Sequence, residues 1–340
     1  RSGSVTGVQT CALPIFGQKS IIDSLVVIWP NDKTQTLRNI KANQTISVNI
    51  KDAATTWVYD STAASAKYFK EEPSISFTHT ENQFNDFTVQ SLLLNYLSRQ
   101  GPCMAKADVN KDGREDLFIG GAKDQPGQLF IQSANGKFAA TSQPAIAKDA
   151  LPEDTGAEFF DADNDGDMDL YVNSGGYEFN ENDAALQDRL YLNDGKGNFT
   201  KKEKALPQML ASKSCVKAGD IDGDGDMDLF VGGRVIPGKY PVSPESFLLL
   251  NDGKGNFTNA TSTIAPALKN TGMVTDALWM DINKDGKNDL IVVGEWIPVK
   301  VFINREKVLK DESGNYIKFA SNGWWNKIYA DDFDGDGDRF

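Results

Sequence analysis

One pattern of hydrophobic and polar positions recurs along the chain after residue 100. Each copy begins with a short alternating segment such as CMAKAD at 103–108 and continues through a polar loop into an apolar run such as LFI at 117–119. A second apolar run follows, LFI at 129–131 in the first copy, and ends at a turn such as NDGKGN at 193–198. Short apolar runs separated by turn residues are typical of antiparallel strands. The pattern predicts about four strands per copy, the last starting at an aromatic residue: Phe138, Phe199, Phe257 or Phe319.

The polar loop fixes the period of the repeat. Its pattern is D-x-[DN]-x-D-G-x-x-D, and its copies begin at Asp108, Asp161, Asp220, Asp281 and Asp332. Successive copies therefore start 51 to 61 residues apart. Four-stranded units at roughly such a period are typical of propeller blades. We therefore predict an all-β fold in which residues 76–340 form a β-propeller of four-stranded blades, preceded by a small β module.

The composition of the loop indicates calcium. Oxygen-bearing side chains at alternate positions suit a hard cation, and glycine at the sixth position allows the sharp turn. A solvated acidic turn is the alternative, but five copies in register favour one Ca²⁺ per loop. The candidate ligands at positions 1, 3, 5, 7 and 9, with position 7 acting through its backbone carbonyl, are Asp108, Asn110, Asp112, Arg114, Asp116, Asp161, Asp163, Asp165, Asp167, Asp169, Asp220, Asp222, Asp224, Asp226, Asp228, Asp281, Asn283, Asp285, Lys287 and Asp289, and in the last copy Asp332, Asp334, Asp336 and Asp338.

The loops differ from an EF-hand in a way that bears on affinity. An EF-hand supplies a bidentate Glu at position 12, where the first four loops have Ile119, Val172, Val231 and Val292. We therefore expect weak binding, near the ~10⁻⁴–10⁻³ M of extracellular modules. The second and third loops should bind more tightly than the first and fourth, because Asn110 and Asn283 each replace a carboxylate.

Charge and composition exclude several classes of function. Lys and Arg number 35 against 48 Asp and Glu, a net charge of −13, which disfavours nucleic acid as a partner. His79 is the single histidine, which argues against a serine triad or a His-rich metal centre, and no catalytic residue is predicted. Three cysteines are too few for a disulfide framework, and Cys103 and Cys215 should be buried thiols. No apolar run reaches the ~20 residues of a membrane span, so we expect no membrane insertion.

The loops resemble the calcium-binding FG-GAP or VCBS repeats of integrin-like β-propellers, and the glycine pairs at 120–121 and 232–233 fit that resemblance. Upstream, residues 23–30 and 41–48 resemble the end of the ASPIC/UnbV module found in bacterial surface proteins and in the cartilage acidic protein family. The resemblance implies about seven blades in the parent protein. Four to five are present here, which implies truncation at the C-terminus.

The resulting domain prediction has four parts. Residues 5–15 (VTGVQTCALPI) resemble a translated sequencing adapter, so residues 1–16 are set aside. Residues 17–50 are assigned to the C-terminal part of the ASPIC/UnbV-like module. Residues 51–75 are polar and rich in Ala, Ser and Thr, which is typical of a linker. Residues 76–340 are the propeller.

These observations predict a non-enzymatic, calcium-binding propeller that mediates protein or glycan binding, as in adhesion. We expect it to be secreted or held at the bacterial cell surface or outer membrane. The longer insertion at 175–188, with Tyr177 and Phe179, is the candidate ligand loop. The alternative is a propeller or accessory domain of a secreted enzyme, for example a carbohydrate-active one. A pair of carboxylates outside the loops, facing one pocket with perturbed pKa values, would favour it.

Overall fold

A computed structural model describes residues 20–42, 44–58 and 75–332. The chain divides into two compact units, residues 1–72 and 73–340. In the described ranges, the helices are all too short or too polar to cross a membrane.

The first unit contains a three-stranded antiparallel sheet. Its strands are β1 (Ile21–Ile28), β2 (Lys33–Lys41) and β3 (Thr55–Thr56), in that order. A 3₁₀ turn at Ile50–Asp52 precedes β3, and the Asn49 side chain accepts a hydrogen bond from the Lys51 N–H there. The end of this turn and the whole of β3 lie inside the stretch predicted as a linker, residues 51–75. Because β3 pairs with β2, the sheet of this unit continues to Thr56; residues 59–74 lie outside the described part of the chain.

The described part of the second unit, residues 75–332, contains four antiparallel sheets that follow one another along the chain. We call them blades one to four. Blade one is β4 (Met104–Ala107), β5 (Asp116–Ile119), β6 (Gln128–Gln132) and β7 (Phe138–Ala140). Blade two is β8 (Glu153–Phe160), β9 (Asp169–Gly175), β10 (Arg189–Asn193) and β11 (Phe199–Lys201). Blade three is β12 (Ser212–Gly219), β13 (Asp228–Val235), β14 (Phe247–Asn251) and β15 (Phe257–Asn259). Blade four is β16 (Met273–Met280), β17 (Asp289–Ile297), β18 (Lys300–Arg305) and β19 (Val308–Asp311), with β20 (Gly323–Trp324) paired to the end of β17.

The predicted all-β fold of four-stranded units is confirmed, with one strand misplaced. In every described blade the polar loop joins the first strand to the second. In blade four the last strand is Val308–Asp311, reached through a two-residue turn at Glu306 and Lys307, both with positive φ (54° and 68°). The prediction that it begins at Phe319 was wrong: that residue lies outside the sheet and is 71% exposed.

The hydrophobic core lies between neighbouring blades. Tyr171 and Leu190 of blade two pack in one buried cluster with Val216 and Leu229 of blade three. Similar clusters join blades one and two and blades three and four. Each sheet therefore buries its apolar faces against its sequence neighbours, as stacked propeller blades do.

A hydroxyl group links the first strands of blades two, three and four to the segment that follows in the stack, whereas blade one has Pro102 at the equivalent position. Thr155 Oγ1 donates to the Lys213 carbonyl at 2.8 Å, and Ser214 Oγ donates to the Val274 carbonyl at 2.7 Å. Thr275 Oγ1 donates to the Trp325 carbonyl at 2.7 Å. All three donors stand six residues before the first aspartate of their loop. Trp325 thus occupies, after blade four, the place that Lys213 and Val274 occupy in blades three and four.

Helical segments are short and lie in the connections. They are α1 (Asp86–Val89), α2 (Pro144–Ala147), α3 (Thr261–Ile264) and α4 (Ser313–Tyr316), with 3₁₀ turns at Ala184–Leu186 and Pro266–Leu268.

Candidate metal centres

Each described loop turns through left-handed residues at positions four and six. Position six is glycine with φ between 82° and 95°. Side chains other than glycine rarely adopt such angles, so the repeat requires glycine there. The first-position carboxylate then accepts the N–H of that glycine in all four loops. The pairs are Asp108–Gly113 (2.8 Å), Asp161–Gly166 (2.9 Å), Asp220–Gly225 (3.2 Å) and Asp281–Gly286 (2.8 Å).

The ninth-position aspartates are buried and hold the base of each loop. In blade two, Asp169 accepts the Ala162 N–H (2.9 Å) with one oxygen and the Asn193 N–H (2.8 Å) with the other. Asp116, Asp228 and Asp289 make the same two bonds in their blades. Each therefore ties position two of its loop to the third strand of its sheet.

An asparagine at the end of the third strand joins adjacent blades, and the sequence analysis did not single it out. Asn193 Nδ2 donates to the Val109 carbonyl of the preceding loop at 2.8 Å. Asn251 and Asn304 make the corresponding bonds to Ala162 (2.9 Å) and Ile221 (2.7 Å). The available signal was an Asn after the third-strand apolar run in blades two to four, where blade one has Gln132. Asn193 was interpreted only as part of a turn.

The structure brings three carboxylates together in loops two and three. Oxygens of Asp161, Asp163 and Asp165 lie within 4.8 Å of one another, and so do those of Asp220, Asp222 and Asp224. These are positions 1, 3 and 5 of the two loops predicted to bind most tightly. Convergent oxygen donors at this spacing are what a hard divalent cation uses.

The electrostatics of loop two favour a bound cation. Asp161 Oδ1 and Asp163 Oδ1 are buried without a hydrogen-bond partner. Burial, and then the neighbouring Asp165 charge, raise the pKa of Asp163. Burial likewise raises the pKa of Asp169 to about 7, with Asp163 and Asp165 adding to the shift. A bound divalent cation would compensate these charges, so the residues present fit the ion.

Loops one and four differ from loops two and three in having an amide at position 3. Asn110 and Asn283 accept the N–H of Asp112 (3.0 Å) and of Asp285 (2.9 Å). In loop three, Asp222 accepts the corresponding N–H of Asp224 at 3.2 Å. In loop one the Arg114 guanidinium also pairs with the Asp112 carboxylate and donates to the Gln132 carbonyl at 2.9 Å. A cation of the protein therefore already neutralises one of the candidate ligands of this loop.

Seventh-position side chains connect neighbouring loops. The Lys111 ammonium of loop one pairs with Asp167 of loop two. Asn164 Nδ2 of loop two donates to Asp226 Oδ1 of loop three at 2.6 Å. Position four of one loop thus contacts position seven of the next. Of the fifth loop, only Asp332 is described; Asp334, Asp336 and Asp338 lie outside the described residues.

Known family models match both parts of the chain. Residues 108–172 and 179–231 match the FG-GAP-like repeat. The chain carries FG-GAP-like repeats. Residues 15–55 match the model named ASPIC and UnbV, which places an ASPIC/UnbV segment before the FG-GAP-like blades. No curated protein matches the chain.

The predicted ligand loop at 175–188 has its aromatic residues turned inward. Tyr177 is 1% exposed and packs with Leu93, Leu97 and Val235, and Phe179 is 8% exposed. The exposed aromatic residues lie elsewhere: Trp296 and Trp324 have ring centroids 5.4 Å apart, and Trp296 Nε1 donates to Tyr240 Oη at 2.6 Å.

Residues five positions before each loop line one cavity beside the first strands: Cys103, Gly156, Cys215, Asp276 and Lys327. Both cysteines are free thiols, Cys215 buried and Cys103 partly so. Glu158 lies in the same cavity, and burial, with Asp276, raises its pKa to about 7 against the opposing charge of Lys217.

A second group of carboxylates lies outside the loops, where β8 begins. Glu153 has no exposed surface. Burial, and then the charges of Glu178 and Glu81, raise its pKa to about 9. Because Glu153 is sealed from solvent, its carboxylate does not face an open pocket with a second carboxylate, which is the arrangement that would favour an enzyme.

Proposed function

We propose that this chain is a non-enzymatic, calcium-stabilised FG-GAP propeller module that binds protein or glycan ligands outside the cell. The observation that carries the proposal is the convergence of three carboxylates in each of loops two and three, within 4.8 Å. Unpartnered buried oxygens in loop two support it. The ASPIC/UnbV match in the same chain supports a surface protein, because the sequence resembles bacterial surface proteins that contain this module.

The aspartates of positions 1, 3 and 5 would hold the ion, and the ninth-position aspartates would hold the loop around it. Bound calcium supplies positive charge to a set of like charges. The loops of adjacent blades touch through the Lys111–Asp167 pair and through Asn164 and Asp226. Ordered loops at neighbouring positions therefore present one continuous, rigid surface to a ligand.

The proposed compartment follows from affinity. FG-GAP-like repeats are typical of extracellular proteins. Loops that lack the twelfth-position Glu should need the ~10⁻⁴–10⁻³ M calcium of extracellular modules. We therefore propose secretion or surface attachment, where calcium at that level is present.

Thermal unfolding of the full chain tests the calcium proposal. We expect the Tm to rise in millimolar Ca²⁺ over chelator, and less in Mg²⁺, because an ion bound only by the native state stabilises it by mass action. Asp163→Asn should reduce the calcium-dependent rise. Asp124→Asn removes the same charge from an exposed residue outside the loops and should leave the rise intact. A Tm unaffected by calcium would overturn the metal assignment.

Ligand binding is tested separately on a glycan array and on extracellular-matrix proteins. We expect ligand binding in the presence of Ca²⁺. Chelator should abolish this binding, and Mg²⁺ alone should not restore it. Release of hydrolysed product from any bound glycan would instead establish an enzyme.

A further inference from the structure

Trp296 lies at an irregular point of blade four, near the end of β17 that is opposite the calcium loop. In the pairing of β17 with β20, Glu295 lies opposite Trp324, and Ile297 lies opposite the preceding residue. The register therefore passes over residue 296, which is the arrangement of a β-bulge. Bulges redirect a side chain and are frequent beside binding and active sites.

The backbone at this bulge is unfavourable for tryptophan. Trp296 has a φ of 61°. Gly176 holds the same position of blade two, seven residues after the ninth-position aspartate, and has a φ of 93°. Glycine adopts such angles freely, whereas a bulky side chain rarely does. Since Trp296 is more than half exposed, packing in the core does not explain the choice. Strained residues persist where a function needs the side chain.

Neighbouring residues hold the exposed ring in place. Trp296 Nε1 donates to Tyr240 Oη at 2.6 Å, and Tyr240 lies in the connection between β13 and β14. The Tyr240 N–H in turn donates to Gln90 Oε1 at 3.0 Å. The Trp324 ring lies beside that of Trp296, with centroids 5.4 Å apart and planes tilted by 44°. Rings held in this way lose little conformational freedom when a ligand binds.

The size of this aromatic surface favours a small ligand. Trp296 and Trp324 are 53% and 39% exposed. At about 250 Å² for a whole tryptophan side chain, the two together expose roughly 200 Å². A specific protein interface needs about 800 Å² on each partner. A short stretch of sugar rings fits the smaller area, and the negative face of an indole attracts the C–H groups of a pyranose ring.

Hydrogen-bonding groups for sugar hydroxyls lie along the same connection. Pro237, three residues before Tyr240, lines a cavity of about 420 Å³ whose wall also includes Asn182, Gln208 and Glu245. The segment from Pro237 to Tyr240 therefore borders both the aromatic rings and a cavity with amide and carboxylate groups. A few polar groups beside an apolar surface are typical of sites that orient a small ligand.

We propose that Trp296 and Trp324 form a stacking platform for the pyranose rings of a glycan, at the strand ends opposite the calcium loops. The inference rests on the proposed function, because it assigns the glycan ligand to this platform and leaves the loop surface to a protein. Chains of β-linked glucose or N-acetylglucosamine suit it best. Their ring substituents are equatorial, so both faces of each ring present only C–H groups to the indoles.

Sugar titration of the full chain tests the proposal, with cellohexaose and chitohexaose as probes in millimolar Ca²⁺. We expect the wild type to bind at least one of them. Trp296→Gly and Trp324→Ala should each weaken that binding roughly tenfold, because each removes one stacked ring. Trp296→Phe keeps an aromatic face and should retain part of the affinity.

Trp57→Gly is the matched control, since it removes an exposed tryptophan from the first unit. It should change the Kd less than about twofold. Failure of the wild type to bind either sugar, or an equal loss in Trp57→Gly, overturns the proposal. Calcium-dependent binding to a matrix protein would in that case still support the proposed function.

Thermal unfolding separates recognition from a role in the fold. Trp296→Gly loses the contacts of the ring but relieves the strained φ, so without sugar its Tm should stay within about 4 °C of the wild type. The rise of Tm in Ca²⁺ should persist, because the loop lies at the other end of β17. A much larger fall in Tm would overturn the proposal by showing that the ring is held there for stability.

Acrylamide quenching of tryptophan fluorescence tests the same contact in the wild type. A saturating sugar should shield Trp296 and Trp324, so quenching should decrease. Unchanged quenching with sugar bound would place the sugar elsewhere and overturn the proposal. Shielding by sugar in a protein whose Tm does not respond to calcium would support the platform and contradict only the calcium part of the proposed function.

Discussion

The Lys213 ammonium lies 2.8 Å from Asp188 Oδ1, and neither side chain has any exposed surface. Lys213 belongs to β12 of blade three, whereas Asp188 immediately precedes β10 of blade two. The lysine also donates to the Met209 carbonyl at 2.9 Å, and the aspartate accepts the Tyr171 hydroxyl at 2.6 Å. Similar buried pairs occur within blade two, Arg189–Asp154, and between blades three and four, Arg234–Glu295.

Removing one partner of this pair should destabilise the protein strongly. Lys213→Met leaves Asp188 buried without its cation, and we expect the free energy of unfolding to fall by about 3–5 kcal/mol. Urea unfolding of the wild type and the variant measures this loss of free energy. The double variant with Asp188→Asn should recover part of the loss, because neither charge is then left alone. A loss below about 1 kcal/mol in the single variant would show that water reaches the pair.

Loop affinity should follow the number of carboxylates. Asn110→Asp adds a third-position charge to loop one, and we expect its calcium affinity to increase roughly tenfold, or about 1.4 kcal/mol. Asp222→Asn in loop three should produce a decrease of similar size. Isothermal titration of each variant with Ca²⁺ checks both changes, and equal affinities in all loops would contradict the argument.

Arg114 should weaken calcium binding at loop one. Its guanidinium pairs with Asp112 and would have to leave that carboxylate, or share it, when an ion binds. Arg114→Gln should therefore raise the affinity of loop one several-fold. Lys106→Gln is the matched control, since that lysine pairs with Glu115 on the exposed surface and not with a candidate ligand at positions 1, 3 or 5. If the calcium affinity of loop one rises equally in both variants, the effect comes from the change in net charge alone.

Glu158 should make stability depend on pH. Its pKa in the folded protein is about 7, above the ~4.3 of an unfolded chain. The folded state therefore holds the proton more tightly, and the free energy of unfolding should fall as pH rises from about 4.3 to about 7. Glu158→Gln removes this penalty, so the variant should gain about 1–3 kcal/mol over the wild type at pH 8 and almost nothing at pH 4.

The Glu158 prediction is checked by urea unfolding of both proteins at several pH values in the same calcium concentration. The comparison with wild type cancels the titration of the loop aspartates. A difference between the two proteins that stays constant across this pH range would contradict the assigned pKa.

The hydroxyl link between first strands should contribute modestly. Ser214→Ala removes the donor to the Val274 carbonyl, and we expect a loss of about 0.5–1.5 kcal/mol. Ser133→Ala, whose hydroxyl bonds only within its own hairpin turn, should cost less. Equal losses in the free energy of unfolding would show that the bond between blades stabilises the protein no more than a bond within one turn.

Local sequence patterns predicted the blades and the loops because both are short-range features. Strand alternation, the sixth-position glycine and the spacing of the aspartates are all readable within about fifteen residues. Phe319 was assigned wrongly because the hairpin at Glu306–Lys307 contains neither glycine nor asparagine. Nothing in the local pattern distinguishes that turn from an ordinary charged loop.

The features that sequence could not provide depend on contacts between distant segments. Asn193 reaches the Val109 carbonyl of another blade, and its residue type alone indicates only a turn. Glu153 and Glu178 belong to blade two and Glu81 to the segment before blade one, so their proximity is not visible in any local pattern. Tyr177 was predicted on a surface because insertions are usually exposed, but its ring fills an apolar space beside Leu97.

The hydroxyl at Thr155, Ser214 and Thr275 has an evolutionary consequence. Each donor and each accepting carbonyl stand at the same place in their repeat, so repeats three and four each encode a donor for one junction and an acceptor for the other. Repeat one has Pro102 at the donor position and lacks the hydroxyl. Duplicating or deleting a repeat that carries both halves would leave complementary junctions on either side. Blade number can therefore change by recombination without new compensating mutations at the first strands.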